Sequence, residues 1–178
     1  MSDPFAPIAP QLKASELTSL TISENSTNQS IDVKDDHNNN LYKIQGVCMS
    51  LSERRELLDS NGKIIGQYRN KKSSYFNPAV YIGTPDNDKK CMLKFKDQTI
   101  SCNTADIYMD DKVIGEASGS WQNKYYEIKI ENSLAASVQR LRIKGSTDDH
   151  YGINVLKGVD VPFIVLITLA LDEIFHDE

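Results

Sequence analysis

Along this chain the apolar positions come in short alternating runs, until one unbroken run closes it. That run is Asp160-Val-Pro-Phe-Ile-Val-Leu-Ile-Thr-Leu-Ala-Leu-Asp-Glu-Ile-Phe175. The pattern predicts a helix. Asp160 supplies an N-cap carboxylate, and Pro162 falls in the first turn, where a missing N–H costs little. Between Phe163 and Leu171 only Thr168 is polar, so every face is apolar. Such a helix belongs either inside protein or inside a membrane. Val161 to Leu171 is eleven residues, about 16 Å of helix, whereas a membrane span needs roughly 20 apolar residues. Burial is therefore expected, with Phe163, Leu166, Ile167, Ala170 and Leu171 as the core of the fold, and no transmembrane span.

The rest of the chain has the period of strands. Leu17–Ile22, Ser30–Lys34 and Leu41–Gln45 come first, the last two joined by the polar turn Asp35-Asp-His-Asn-Asn-Asn40. Arg55–Asp59 and Lys63–Arg69 flank Ser60-Asn61-Gly62, where Asn-Gly predicts a type I′ turn. Further strands are expected at Ala79–Gly83, Cys91–Lys96, Ala105–Met109, Val113–Ser118, Tyr125–Ile130, Ser137–Lys144 and Tyr151–Leu156. About twelve strands thus precede one buried helix. The expected class is mainly β, a closed antiparallel barrel around a hydrophobic C-terminal helix. Val113, Tyr125, Leu141 and Ile143 are expected to point inward. Pro4, Pro7 and Pro10 argue against regular structure at the start. Residues 1–16 are therefore read as a flexible arm and 17–178 as the barrel domain.

Charge removes one class of partner. The net charge is −5 over 178 residues. The acidic excess sits in the arm and in the last seven residues, leaving 17–171 about neutral. There is no global basic field for nucleic acid. Cys48, Cys91 and Cys102 have neither disulfide-framework nor zinc spacing. With no signal peptide in view, they are expected as packed, reduced thiols in an intracellular, cytoplasmic protein. His37, His150 and His176 lack ligand spacing, so no metal and no cofactor is expected.

Catalytic patterns fail on inspection. Gly115-Glu-Ala-Ser-Gly119 places its serine one position late for a nucleophile elbow. No phosphate-binding glycine loop occurs. Asp148-Asp149-His150 reads as a solvated turn, and Asp86-Asn-Asp88 lacks the later ligands of a calcium loop. The binding candidate is Arg140-Leu-Arg-Ile-Lys144: in a strand Arg140, Arg142 and Lys144 share one face, expected on the outer wall. Lys94 and Lys96 form a shorter pair. Such rows suit phosphate groups; a merely solvated strand face is the alternative.

Ser30-Ile-Asp-Val, Leu41-Tyr-Lys-Ile-Gln-Gly46 and Arg55-Glu-Leu-Leu-Asp-Ser-Asn-Gly-Lys-Ile-Ile65 resemble the paired hairpins of the LURP-one-related family, which has the tubby C-terminal-like fold. So does the ending, Tyr151-Gly-Ile-Asn-Val to Gly158-Val-Asp160 with Leu171-Asp-Glu-Ile174 after the helix. The resemblance runs from about Leu17 to Ile174. The family usually has glycine at the first hairpin tip, where Asn39-Asn40 stand here. The last segment, Asp149-His-Tyr-Gly-Ile-Asn154 with the Asp160-Val-Pro start of the helix, is also similar to phospholipid scramblases, which carry a long proline-rich arm and a palmitoylated cysteine cluster, whereas the arm here is short and Cys48, Cys91 and Cys102 are scattered. The resemblance implies a closed barrel around its helix and a non-catalytic binding module. Its partner would be an anionic phospholipid head group, as in tubby proteins, or another protein, with peripheral membrane association. A scramblase-like membrane protein is the second reading. A monomer is expected.

Overall fold

The computed structural model describes residues 3–25, 30–46, 54–71, 79–99, 102–120, 125–141 and 150–176. It contains β1 (Thr18–Asn25), β2 (Ser30–Asp35), β3 (Asn40–Gly46), β4 (Arg54–Leu58), β5 (Ile64–Lys71) and β6 (Ala79–Thr84). These are followed by β7 (Asn87–Thr99), β8 (Cys102–Met109), β9 (Lys112–Ser120), β10 (Tyr125–Ile130), β11 (Ser133–Leu141), β12 (His150–Val155) and α1 (Val161–His176). From β2 to β12 each strand pairs with its predecessor. β1 then lies between β12 and β2, closing an antiparallel barrel. Closure leaves no sheet edge exposed.

The alternation along each strand decides what fills the barrel. Leu20 and Ile22 of β1 stand opposite Ile153 and Tyr151 of β12, and all four are buried. Ile31, Val33, Ile44, Leu57, Ile82, Leu93, Ile107, Ile128 and Val138 extend the inner face around the wall. The helix occupies this interior, and Phe163, Leu166, Ile167, Ala170 and Leu171 are all buried. Its one polar mid-helix group, Thr168, donates its hydroxyl to the Ile164 carbonyl at 2.9 Å. Tyr151 donates its hydroxyl to Asp172, which is also buried. No helix among the described residues is long and apolar enough to cross a membrane.

Several expectations about facing need correction. Val113 is 56% exposed and Tyr125 43% exposed. Tyr126, one residue on, takes the inner position against Val138. Leu141 faces outward over Gly152: a Cβ there would lie 3.4 Å from its Cδ1. Ile143 lies outside the described residues. A one-residue offset reverses a strand's faces, and short runs do not fix that offset.

The turns also differ. Gly62 has φ +78, while Asn61 is not left-handed. Asp59 N–H donates to the Lys63 carbonyl at 2.9 Å, which makes a three-residue loop with glycine in the left-handed place. The loop from Asp35 repeats this, with Asn38 at φ 66 in the glycine's role. In each loop the leading aspartate accepts two backbone N–H groups, His37 and Asn39 for Asp35, Asn61 and Lys63 for Asp59. The paired left-handed residues of a type I′ turn occur instead at Asp110-Asp111 and at Glu131-Asn132.

The arm is not loose over its described part. Ala6, Ile8, Ala9 and Ala14 are buried, and Pro10–Leu12 forms a 3-10 turn. Asp160 holds it. Ile8 and Ala9 N–H groups donate to Asp160 Oδ2 at 2.8 and 2.6 Å, while Phe163 N–H donates to Oδ1 at 3.0 Å. Asp160 N–H in turn donates to the Phe5 carbonyl at 2.8 Å. One carboxylate therefore caps the helix and closes the barrel's base. Three prolines remove N–H donors, and the N–H groups of Ile8, Ala9 and Ala14 find their acceptors at the far end of the chain, on Asp160 and Val159.

Candidate binding surface

With the helix filling the interior, the surface left for recognition is the outer wall and the open rim. Lys94 and Lys96 project outward from β7, because Leu93 and Phe95 between and beside them are buried. Their surroundings differ. Lys96 Nζ lies 2.7 Å from Asp106 Oδ2, and this hydrogen bond raises its pKa. Lys94 is exposed and makes no salt bridge among the described residues. Its ammonium sits 4.6 Å from the centre of the Tyr108 ring. Tyr108 faces Met92, which faces Tyr81, and Lys89 lies 5.6 Å from the Tyr81 ring centre. The outer wall of β6–β8 thus carries a row of tyrosine, methionine and tyrosine with a lysine over each ring, a cation–π arrangement.

Arg140 lies elsewhere. It stands opposite Tyr151 and two residues beyond buried Val138, so its position belongs to the inner face at the rim, where it is partly exposed. The expected outer face for Arg140 is corrected by this register. Arg142 and Lys144 lie outside the described residues. β11 and β7 are four strands apart in the barrel, about 19 Å along the wall at 4.8 Å per strand. The structure does not bring Arg140 together with Lys94 and Lys96.

Another polar cluster was not signalled by any motif. Gln45, Glu56 and Gln67 are opposed across β3, β4 and β5, and Arg54 is opposed to Arg69 two residues along. Arg54 pairs with Glu56, and Arg69 with Asp88. The hairpin itself held the signal, since residues nearly equidistant from Asn61-Gly62 are cross-strand partners.

The group Asp35, Asp36 and His37 has metal-ligand residue types close together. Asp35, however, already accepts from His37 N–H, Asn39 N–H and Asn39 Nδ2, and these bonds, the Asn39 side chain first, lower its pKa. Turn geometry accounts for it. Burial pushes the Cys91 thiol up to about 12, as for an inert packed cysteine.

A closed twelve-stranded barrel built around its own C-terminal helix defines the class of fold. The LURP-one-related family model matches residues 18–172. The chain belongs to the LURP-one-related family. A solved X-ray structure of a protein from Arabidopsis thaliana is similar in fold, with TM-score 0.65 and 18% identity over 96% of this chain and 98% of that one. No curated protein matches the chain.

Proposed function

We propose that the barrel is a non-catalytic binding module that recognises an anionic phospholipid head group through its outer wall. The observation that carries this is the filled interior. Among the described residues the helix takes up the interior, with Phe163, Leu166 and Ile167 fully buried among the strands. Recognition then falls to the wall, where Lys94 lies over Tyr108 and makes no salt bridge among the described residues. Tyrosine and lysine both place an apolar body beneath a polar tip, which suits a lipid–water interface. Each well-placed cation adds on the order of 1 kcal/mol of attraction to an anionic surface. The paired charges Lys96–Asp106 and Arg69–Asp88 keep this attraction local.

The test is vesicle sedimentation with neutral, phosphatidylserine and phosphoinositide vesicles at low and physiological salt. Lys94→Ser and the triple change of Arg140, Arg142 and Lys144 to Ser are compared with the wild type. Salt-sensitive binding that Lys94→Ser weakens supports the reading. Absence of binding to every vesicle overturns it and leaves a protein partner as the ligand of the module.

A further inference from the structure

Arg54 of β4 and Arg69 of β5 are direct cross-strand partners on the outer wall. Tyr68 and Leu57 on the same strands point inward and are buried, which fixes the facing of both arginines. Opposed residues on paired strands have Cβ atoms about 4.5–5.5 Å apart, and like charges there destabilise the pair. Each guanidinium is steered by one carboxylate, Arg54 Nη2 by Glu56 and Arg69 Nη2 by Asp88. Glu56 is 6% exposed, and its second oxygen accepts from Gln45 Nε2 at 3.5 Å. An arginine has five N–H donors in a fixed fork, so most of this donor capacity is left over among the described residues.

Two buried atoms in the cluster have no partner among the described residues: Arg54 Nε, a donor, and Gln67 Oε1, an acceptor. Gln67 is 4% exposed and sits opposite Glu56, two register steps from the arginine pair on the same face. Its Nε2 donates to the Thr84 carbonyl at 3.2 Å, which fixes the amide's sense and leaves the oxygen as the unused atom. Leaving buried polar atoms unpaired is costly. Tyr81 faces Arg69, and Lys89 lies over that ring, so a third cation stands at the rim.

We propose that the Arg54–Arg69 pair is an oxyanion clamp for a phosphate monoester. Phosphate oxygens accept from Arg54 Nε–H and from the unused N–H groups of Arg69, a geometry that guanidinium forks favour. A P–OH group, or a hydroxyl beside the phosphate, donates to Gln67 Oε1. Sulfate carries no proton near neutral pH and leaves that acceptor unpaired, so the clamp prefers phosphate to sulfate. The site is separate from Lys94 and Lys96 and stands whether or not the barrel docks on a membrane.

The test titrates the full, isotope-labelled chain with inorganic phosphate, and separately with sulfate at equal ionic strength, following the side-chain Nε–H signal of Arg54 and the amide of Gln67 by NMR. Both signals move along one saturable curve with phosphate and respond less to sulfate. Arg69→Gln lowers the phosphate affinity by about tenfold or more, the effect of losing one charge-assisted pair. Arg69→Lys keeps the charge but not the fork, and it also weakens binding. An unmoved Arg54 signal, an equal response to sulfate, or full affinity in Arg69→Gln overturns the clamp. Vesicles containing phosphatidylinositol 4-phosphate identify the source. Binding that Arg69→Gln abolishes assigns the clamp to a lipid head group. Phosphate binding without vesicle binding assigns it to a soluble phosphate monoester, and it is then the lipid reading that fails.

Discussion

Gly66 of β5 faces Leu166 of the central helix so closely that a Cβ on the glycine would lie 2.8 Å from Leu166 Cδ1. The same Cβ would lie 3.1 Å from Ile8 Cγ2, so strand, helix and arm meet at one point. Gly66→Val adds three carbons where none fits. The expected loss is about 1–3 kcal/mol from overpacking, read as a lower urea midpoint. Leu166→Ala opens space at that point, so the double variant should be less destabilised than the sum of the two single changes. Strict additivity would show that the two residues do not share a contact.

Leu166→Asp puts an ionisable group where the side chain is fully buried. The desolvation cost of an unpaired charge there is several kcal/mol, comparable to the whole stability of a domain. The variant is expected to be insoluble or to lack a cooperative melt. A soluble variant with unchanged melting would contradict the placement of the helix.

Asp160→Asn separates the two jobs of one carboxylate. An asparagine oxygen can accept from Phe163 N–H or from Ile8 and Ala9, but its NH2 then meets donors on the other side. Stability should fall by about 1–3 kcal/mol, the cost of leaving buried donors unmet. Hydrogen exchange should quicken at Ile8 and Ala9 while the strand amides stay protected. Equal protection of those two amides in the variant would show that Asp160 does not hold the arm.

The same carboxylate sets a pH dependence. Burial raises the Asp160 pKa above its ordinary 3.8, outweighing the lowering by the N–H groups of Ala9, Phe163 and Ile8. Between 3.8 and the raised value the folded protein holds a proton that the unfolded chain has released. Stability from this group is therefore full below 3.8 and declines as pH rises through the folded value. The stability difference between wild type and Asp160→Asn should shrink over that window, measured by urea titration at several pH values. A difference that grows with pH would reverse the sign of the shift.

Cys91 is buried, and its thiol is pushed up to about 12. The thiolate is the reactive species, so Cys91 should resist a disulfide reagent in the native protein and react on denaturation. Peptide mass mapping after labelling assigns the site. Rapid native labelling of Cys91 would mean that β7 opens locally.

Much of the architecture was legible because two periods dominate the chain. Twelve short runs with turn residues between them predicted twelve strands, and all twelve form. An apolar run too short for a membrane, begun by Asp160 and Pro162, predicted the buried capped helix, and Phe163 N–H does bond Asp160 Oδ1. The facing of individual strands was less legible. Tyr125 and Tyr126 are equally plausible inward residues by composition, and only pairing with Val138 and Gly119 selects Tyr126. The expected facing of Arg140 is corrected for the same reason, since its register against Tyr151 puts its position on the inner face.

The sequence alone determined the family, the strand count, the helix and its N-cap, because these rest on local propensity and on burial that one segment must achieve wherever it goes. Tertiary structure decided what each segment meets. It spent Asp160 on the arm as well as the cap, and it tied Lys96 to Asp106 while leaving Lys94 over Tyr108. It also set Arg54 against Arg69 beside two unpartnered buried atoms. Asp160 and the arm come from opposite ends of the chain, and a linear pattern carries no information on contacts at that distance. The other relations join neighbouring strands, where register decides which charges become neighbours.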